Sequence, residues 1–249
     1  MTDRLTADEL AALPPKARRD PKTVAIYAEF DYLTAYAMHT DRRVLTEGIG
    51  PAAGADASRD NWDSHGELQR DFLISQGLRP EHALLDIGCG GGRLARKVCW
   101  YLDPGNYHGV DISQAALLAA KRLARDEGWG QRRPRFWRSQ VDHAFAGSFD
   151  YLWAHSVMTH LSPPLIEGLM WEAAQLLTRG GAFYWSYVPA AETVRYGLTQ
   201  FKTTLADLRA CVERAGLTFE DVPDWVRRAG YEPGRWSYEQ SVALSRHAP

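Results

Sequence analysis

The sequence LLDIGCGGGRLARKV at residues 84–98 joins an apolar run to a helical pattern through a cluster of glycines. The glycines stand at positions 88, 90, 91 and 92. Glycine is required where a backbone turns tightly or touches a ligand, because a Cβ atom would fill that space. The segment therefore predicts a strand, a ligand-binding turn and a helix that begins close to the strand.

An acidic residue ends each of two consecutive predicted strands. Asp86 ends the strand before the glycines, and Asp111 ends the strand in YHGVDIS, 25 residues later (111 − 86). In doubly wound sheets a carboxylate at the tip of such a strand accepts hydrogen bonds from a ribose diol. The two acids and the glycine turn together predict one nucleoside-binding cleft, and a purely structural turn is the less favoured alternative.

The charges around the glycine turn favour one class of nucleoside ligand. A nicotinamide or flavin dinucleotide calls for the pattern G-x-G-x-x-G, with its pyrophosphate at the helix N-terminus. Here Arg93 occupies the third glycine position counted from Gly88. Asp86 would repel a diphosphate, whereas it suits a ligand that carries ammonium and sulfonium charges. The segment therefore favours S-adenosylmethionine, and a dehydrogenase is a disfavoured alternative.

The rest of the chain alternates short apolar runs with helical patterns, which is typical of βαβ units and a parallel sheet. The glycines at 180 and 181 are expected to end a helix, and residues 47–60 are expected to form a mobile loop. The predicted helices are 21–43, 62–76, 92–101, 113–126, 164–177 and 205–215. The predicted strands are 83–87, 107–111, 135–138, 149–154, 182–188, 217–222 and 236–245.

The motif DIGCGGG at residues 86–92, together with Asp111, resembles that of class I S-adenosylmethionine-dependent methyltransferases. The resemblance continues through FDYLWAHSVMTHL (149–161) and LLTRGGAFYWSYV (176–188). It covers about residues 62–188, and NWDSHGELQRDFL (61–73) is similar to a bacterial subgroup of unassigned acceptor. It implies an α/β fold with a doubly wound, seven-stranded, mostly parallel sheet whose last strand is antiparallel.

The resemblance also implies S-adenosylmethionine as the cofactor and a set of residues that bind it. The implied contacts are Asp86, Gly88, Cys89, Gly90, Asp111, Ile112, Val141 and Asp142. The sequence QVDHAF leaves open whether Val141, Asp142 or His143 lies beside the adenine.

A methyl group on a sulfonium is already activated, so the protein's main task is to align the acceptor with it. Such positioning supplies roughly 7–11 kcal/mol, and a base for a hydroxyl acceptor adds about 10²- to 10⁴-fold in rate. His155 and His160 follow the fourth predicted strand, at the ligand-binding edge of the sheet. They are the candidate catalytic bases, although each could instead be a packing histidine. His65 is a further candidate to reach the cofactor or acceptor.

The N-terminal region predicts a cap over the cleft. The expected organisation is a helical cap and loop at residues 1–60 and a cofactor-binding domain at 61–249 with a small lid insertion at 189–202. Aromatic residues outside the sheet are good platforms for planar or sugar acceptors. The predicted substrate is therefore a small molecule, with a natural-product or sugar hydroxyl as the expected acceptor.

Composition excludes several other classes of protein. The net charge is −2, and no apolar run is long enough for a signal peptide or a membrane span. Three cysteines without a CxxC pair predict neither disulfides nor zinc, and no cluster has magnesium spacing. A cytoplasmic, metal-independent enzyme is expected, with its oligomeric state left open. The alternatives are an RNA methyltransferase, suggested by the basic loop at 130–135, and a non-catalytic adenosyl-binding subunit.

Overall fold

The computed structural model describes residues 4–15, 20–52, 59–234 and 240–249. The helices of these ranges are α1 Ala7–Ala12, α2 Pro21–Glu29, α3 Tyr32–Glu47, α4 Ile49–Ala52, α5 Arg59–Ser75, α6 Ala95–Val98, α7 Gln114–Asp126, α8 Pro163–Leu176, α9 Leu205–Arg214 and α10 Trp225–Arg228. The strands are β1 Leu84–Ile87, β2 Tyr107–Asp111, β3 Arg135–Arg138, β4 Phe149–Ala154, β5 Leu177–Tyr187, β6 Pro189–Ala190, β7 Val194–Arg195, β8 Phe201–Thr204, β9 Glu220–Val222 and β10 Ser241–Ser245.

Seven strands form one sheet in the order β3-β2-β1-β4-β5-β10-β9. The first five are parallel, and β10 runs antiparallel to both β5 and β9. The predicted α/β class, with its antiparallel last strand, is confirmed. Strand β1 lies between β2 and β4, so the winding of the chain reverses there. Ligands of open α/β sheets bind in the crevice at this reversal, beyond the carboxyl ends of the strands.

Helices pack on both apolar faces of the sheet, and this packing forms two cores. One contains α5, α6 and α10, with Phe72, Trp153 and Trp225 among its buried side chains. The other contains α8 and α9, with Met170 and Trp185 at its centre. No described helix has the length and apolar content that a membrane crossing requires.

A third, smaller core lies outside the sheet and joins two segments that are distant in sequence. Tyr27 and Tyr32 from the N-terminal helices pack with Leu198 from the region between β7 and β8. The guanidinium of Arg195 lies 5.0 Å from the ring centroid of Tyr32 and 5.2 Å from that of Phe201. Strands β6, β7 and β8 form a three-stranded sheet of their own in this region. We call α1–α4 the cap and residues 189–204 the insertion.

The predicted helix 21–43 is wrong as one helix, because it is interrupted between α2 and α3. Asp31 adopts an extended conformation and its side chain accepts a hydrogen bond from the backbone N–H of Thr34. A carboxylate that caps the next helix in this way competes with continuation of the first. The predicted loop 47–60 is wrong at its ends, since Ile49–Ala52 is helical and α5 begins at Arg59. Its middle, 53–58, lies outside the described residues.

The glycines at 180 and 181 do not end the preceding helix. Helix α8 stops at Leu176, and Leu177 takes up an extended conformation that pairs with Phe149. Strand β5 then runs through both glycines, with an irregularity in its pairing to β4. Pairing with β4 therefore outweighs the tendency of these two glycines to end a helix.

Three further predicted elements are shorter than expected. Helix 92–101 reduces to α6, and the φ of 85° at Gly92 keeps that residue out of the helix. Strand 217–222 reduces to β9, and Leu217 forms only an isolated bridge with His247. The run 236–245 gives β10, while 235–239 lies outside the described residues. The predicted strands 107–111, 135–138 and 149–154 are confirmed to the residue.

Candidate active site

The glycine turn is held in conformations that side chains rarely adopt. Gly88, Gly90 and Gly92 have φ values of 71°, 53° and 85°. A Cβ on Gly88 would lie 2.6 Å from Cγ2 of Val157, and one on Gly91 would clash with the side chain of Ile49 in the cap. Side chains at 88 and 91 are therefore excluded by the protein itself, whereas a Cβ on Gly90 would meet no protein atom within 4 Å and would project into open space at the turn.

Asp111 ties the end of β2 to the glycine turn. Its Oδ2 accepts the backbone N–H of Gly90 at 2.8 Å, and its Oδ1 accepts that of Ser113 at 2.8 Å. Burial raises the pKa of this carboxyl group, and the two backbone hydrogen bonds oppose that shift. Each carboxylate oxygen retains a second lone pair, so the group is still able to accept from ribose hydroxyls.

Asp86 lies beneath the turn and is 4% exposed. Its Oδ2 accepts the hydroxyl of Tyr107 at 2.8 Å, and no described residue donates a hydrogen bond to Oδ1. Burial raises the pKa of this carboxyl group to about 7. A neighbouring ammonium would favour its ionised form, so the environment suits a cationic ligand better than an anionic one.

A cavity of about 460 Å³ opens at the carboxyl ends of β1, β2 and β4. Helix α8 forms one wall, and the cap contributes Leu33 and Tyr36 from α3. Its size lies within the range of small-molecule sites. The predicted site residues that line it are Gly88, Asp111, Ile112, Val141, His155 and His160.

Four predicted site residues do not line this cavity: Asp86, Cys89, Gly90 and Asp142. The buried Cys89 packs under the turn, where a Cβ on Gly109 would lie 2.8 Å from its Sγ. Asp142 is exposed and its Oδ1 accepts the backbone N–H of Ala144 at 2.9 Å. Of the alternatives for the adenine contact, the structure thus places Val141 at the cavity and both Asp142 and His143 away from it.

Both the cap and the insertion, which share the third core, form hydrogen bonds with His160. Its Nδ1 lies 2.7 Å from the main-chain oxygen of Thr199 in the insertion. The hydroxyl of Tyr32 in the cap donates to the main-chain oxygen of His160 at 2.6 Å. A carbonyl oxygen only accepts hydrogen bonds, so Nδ1 carries the proton and Nε2 presents a lone pair. Burial lowers the pKa of this imidazole, which keeps it neutral.

His155 lies deeper, at the end of β4, and is 8% exposed. Its ring packs edge-on against His65 with centroids 4.8 Å apart, and it stacks on Trp153 at 5.7 Å. Burial lowers the pKa of His155 well below its ordinary value, and the nearby His65 and Arg93 lower it further. His65 does not line the cavity but borders it through this contact.

The sequence did not reveal how the cap docks on the start of α7, beside Asp111. Oδ1 of Asp41 in α3 accepts the hydroxyl of Ser113 at 2.6 Å and the backbone N–H of Ala115 at 2.9 Å. It thereby caps the N-terminus of α7, next to Asp111. Only the amphipathic pattern of residues 21–43 pointed to this helix, and nothing local marks Asp41. Other lining residues that the sequence reasoning missed are Ser139, Gln140, Ser156, Leu161, Leu165 and Glu172.

The fold and this site define a Rossmann-like nucleoside-binding enzyme. The family described as "Methyltransferase domain" matches residues 85–183. The chain therefore contains a methyltransferase domain, and the predicted class, an S-adenosylmethionine-dependent methyltransferase, is confirmed together with its cofactor.

Similar proteins share this domain at low identity. The ubiquinone biosynthesis O-methyltransferase of Nitrosococcus oceani is 23% identical over 188 residues, covering 69% of this chain and 76% of the relative. The mitochondrial enzyme of the same name from Saccharomyces cerevisiae is 24% identical over 98 residues, which are 39% of this chain and 31% of that protein. The solved structure of magnesium protoporphyrin IX methyltransferase from Synechocystis PCC 6803 has a TM-score of 0.64 at 17% identity, covering 89% of this chain and 99% of that one.

Proposed function

We propose that this enzyme transfers the cofactor's methyl group to a hydroxyl oxygen of a small molecule, with His160 accepting the hydroxyl proton. The hydrogen bond between Nδ1 of His160 and the carbonyl of Thr199 carries this proposal. It leaves Nε2 as a proton acceptor on a residue that lines the cavity. A neutral imidazole in this position has the protonation state that a general base requires.

The residues around the glycine turn fit the cofactor. Gly88, Gly90 and Asp111 would contact the cofactor's ribose and the side of the cofactor that faces the protein backbone. Ile112 and Val141 would lie beside the adenine. Asp86 would accept a hydrogen bond from its ammonium. Bound S-adenosylmethionine supplies a methyl group on a sulfonium that needs no further activation. The chain's own contribution is to align the acceptor oxygen, exclude water and take up one proton at Nε2 of His160.

The surroundings of the cavity support a small acceptor. The cap and the insertion share one hydrophobic core and both contact His160. We therefore propose that residues 1–60 form a cap, that 61–249 form the methyltransferase domain, and that 189–202 act as a lid. The cap supplies Leu33 and Tyr36 to the cavity wall, which favours a substrate that enters the cavity whole, such as a natural product or a sugar. The names of the similar O-methyltransferases support oxygen as the acceptor atom.

Two arginines of the basic loop that suggested an RNA substrate are engaged within the protein. Arg132 donates hydrogen bonds to the main-chain oxygens of Cys99 and Leu102, and Arg133 donates to that of Pro104. Guanidinium groups used in this way are less available to phosphates. This supports a small-molecule acceptor over RNA. The three cysteines are buried and unpaired, which fits the cytoplasm as the proposed compartment.

The test is methyl transfer to defined acceptors. The protein is incubated with methyl-labelled S-adenosylmethionine and a panel of phenols, catechols and sugars, with transfer RNA in a parallel arm. Label on a hydroxyl oxygen, located by NMR of the product, supports the proposal. Label only on RNA, or only on nitrogen, sulfur or carbon, contradicts it. Absence of transfer in a full cell extract would favour a non-catalytic adenosyl-binding protein.

A further inference from the structure

Polar side chains of the cavity are concentrated at one end of the sheet edge. Ser139 and Gln140 follow β3, and Glu172 of α8 joins them through a hydrogen bond with Gln140. His160 belongs to the turn after β4, and that turn packs against β5 and β8. In the sheet β3 and β4 are three positions apart, which is roughly 14 Å at about 4.8 Å for each position. These three polar side chains therefore lie at the opposite end of the cavity from His160.

The proposed cofactor contacts occupy the β3 end and the middle of the cavity. Val141 follows Gln140 in the turn after β3, Asp111 ends β2, and Gly88 follows β1. A cofactor bound to these residues leaves the end with His160 for the acceptor. We call this part the His160 end of the cavity.

The side chains around His160 are apolar or aromatic. The ring of Tyr36 lies 5.3 Å from that of His160, measured between centroids, and Leu33 is one turn earlier in α3. Leu161 follows His160 directly, and Leu165 packs against the third core. All of these residues line the cavity.

Other polar groups near the end of β4 are engaged within the protein. Oγ of Ser156 accepts a hydrogen bond from Nε2 of Gln240 at 2.8 Å and lies 3.1 Å from Nδ1 of His155. Nε2 of His155 is inaccessible to solvent. The hydroxyl of Tyr36 forms a hydrogen bond with the side chain of Thr40, one turn further along α3. With these groups engaged, the wall beside the proposed base is apolar.

An apolar wall disfavours a sugar at the His160 end. A sugar carries a hydroxyl on nearly every carbon, and each hydroxyl that is buried without a partner costs free energy. An aromatic ring buries apolar surface and needs a partner only for its own hydroxyl. The ring of Tyr36 also gives a planar acceptor a surface on which to pack.

The acidity of the hydroxyl favours the same class of acceptor. A phenol has a pKa of about 10, as tyrosine does, whereas an aliphatic hydroxyl is closer to water, whose pKa is about 15.7. Burial lowers the pKa of His160 and so makes its imidazole a weaker base. A weak base takes a proton from a phenol far more readily than from an aliphatic hydroxyl.

We propose that the acceptor is a phenol whose ring packs against Tyr36 and Leu165 at the His160 end of the cavity. The phenolic proton passes to Nε2 of His160, and a bond forms between the phenolic oxygen and the methyl carbon. The carbon–sulfur bond breaks with its electron pair left on sulfur, so the products are an aryl methyl ether and S-adenosylhomocysteine. His160 then releases its proton to water. This inference rests on the methyl transfer proposed above and adds the chemical class of the acceptor.

Acceptors that carry two kinds of hydroxyl on the same molecule test this class. Tyrosol has a phenolic and an aliphatic hydroxyl, and hydroquinone glucoside has a phenolic hydroxyl and a sugar. After reaction with S-adenosylmethionine that carries ¹³C in its methyl group, NMR correlations identify the carbon to which the new ether is attached. We expect at least about tenfold more label on the phenolic oxygen than on the other hydroxyls. Label mainly on an aliphatic or sugar oxygen would overturn the phenol and leave O-methylation standing.

A cell extract incubated with the same labelled cofactor covers acceptors larger than these probes. A labelled methyl ether on an aromatic carbon supports the phenol. Ethers on aliphatic carbons alone contradict the phenol but not the proposed O-methylation. Label on no hydroxyl oxygen, in the extract or on the probes, contradicts both proposals.

The substitution Tyr36→Leu tests the packing surface. It keeps an apolar side chain but removes the ring, so KM for the methylated phenol should rise about 2- to 12-fold, with a smaller change in kcat. Affinity for S-adenosylhomocysteine should stay within about twofold, which also shows that the variant is folded. Tyr36→Phe keeps the ring and should raise KM less than Tyr36→Leu does.

Tyr196→Leu is the matched control, because Tyr196 is an exposed tyrosine of the insertion that does not line the cavity. Its KM for the phenol should equal that of the wild type. An unchanged KM in Tyr36→Leu, or an equal rise in Tyr196→Leu, would contradict the packing of the acceptor on Tyr36.

Discussion

Nδ1 of His160 is hydrogen-bonded at 2.7 Å to the main-chain oxygen of Thr199, 39 residues further along the chain. The bond connects the turn after β4 to the insertion, and it determines which ring nitrogen is free to accept a proton. The candidate base is thus oriented by a segment that does not belong to the parallel part of the sheet.

Replacement of His160 by Ala should lower kcat by about 10²- to 10⁴-fold, the usual contribution of a general base. Affinity for S-adenosylhomocysteine should stay within about twofold of wild type, because the proposed cofactor contacts are elsewhere. Burial lowers the pKa of His160, so the acid limb of wild-type turnover should lie below pH ~6.5, and the variant should lose that limb. His143→Ala, which removes an exposed histidine away from the cavity, serves as the control. Undiminished turnover in His160→Ala would rule the residue out as the base.

Tyr32→Phe removes the hydroxyl that donates to the main chain of His160. Loss of one hydrogen bond costs about 1 kcal/mol, so kcat should fall about fivefold while S-adenosylhomocysteine binds as before. Tyr27→Phe is the matched control, because its hydroxyl contacts His39 instead and both rings lie in the same core. Equal kcat values in the two variants would show that the cap does not position His160.

The parts of this fold that the sequence predicts well are those set by local chemistry. Strands β2, β3 and β4 follow from short runs that contain aromatic or other apolar residues, and the glycine turn follows from residues that tolerate positive φ. The docking of Asp41 on α7 and of Thr199 on His160 joins residues far apart in sequence, and no local pattern specifies such pairs. The neighbours Val141 and Asp142 show the same limit, because one faces the cavity and the other faces solvent. The local backbone geometry, and not the residue type, decides which of the two side chains faces the cavity.

Asp41→Ala removes the side chain that links the cap to the start of α7, beside the proposed cofactor contact Asp111. Loss of a helix cap costs about 1 kcal/mol. Because Ser113 also donates its N–H to Asp111, affinity for S-adenosylhomocysteine should fall about three- to tenfold. Asp31→Ala removes the cap of α3 itself and should reduce the free energy of unfolding similarly without weakening that affinity. Calorimetry and urea denaturation measure the two effects, and equal binding by both variants would contradict the link.

Cofactor binding should depend on pH through Asp86, whose pKa burial raises to about 7. Below that pH the carboxyl group is protonated in the free protein, and pairing with an ammonium requires it to lose its proton. Affinity for S-adenosylhomocysteine should therefore increase from pH 5.5 to pH 7, by up to about tenfold per unit, with proton release that calorimetry in two buffers can count. Asp86→Asn should bind weakly and without this pH dependence. Asp142→Asn, away from the cavity, should retain the wild-type profile, and a flat wild-type profile would contradict the role of Asp86.

The buried histidines should make the protein sensitive to acid. Burial lowers the pKa of His65 to about 3 and that of His108 to about 4. Below pH ~6.5 the unfolded chain binds protons at these positions and the folded protein does not, so the free energy of unfolding falls by up to about 1.4 kcal/mol per pH unit for each histidine. Asp86 has the opposite effect on the free energy of unfolding. Its pKa is raised in the folded protein, so between pH ~4 and 7 the folded form binds this proton more tightly than the unfolded chain does.

His108→Gln isolates one of these contributions. His108 packs against Phe149 with ring centroids 5.0 Å apart and is 4% exposed, so it acts in the core and not in the site. Urea denaturation between pH 7 and 4.5 should give a slope of unfolding free energy against pH that is smaller than wild type by up to about 1.4 kcal/mol per unit below pH ~6.5. His82→Gln, outside the core, is the control. An unchanged slope in His108→Gln would mean that this imidazole is protonated in the folded protein, and that its burial does not exclude the charge.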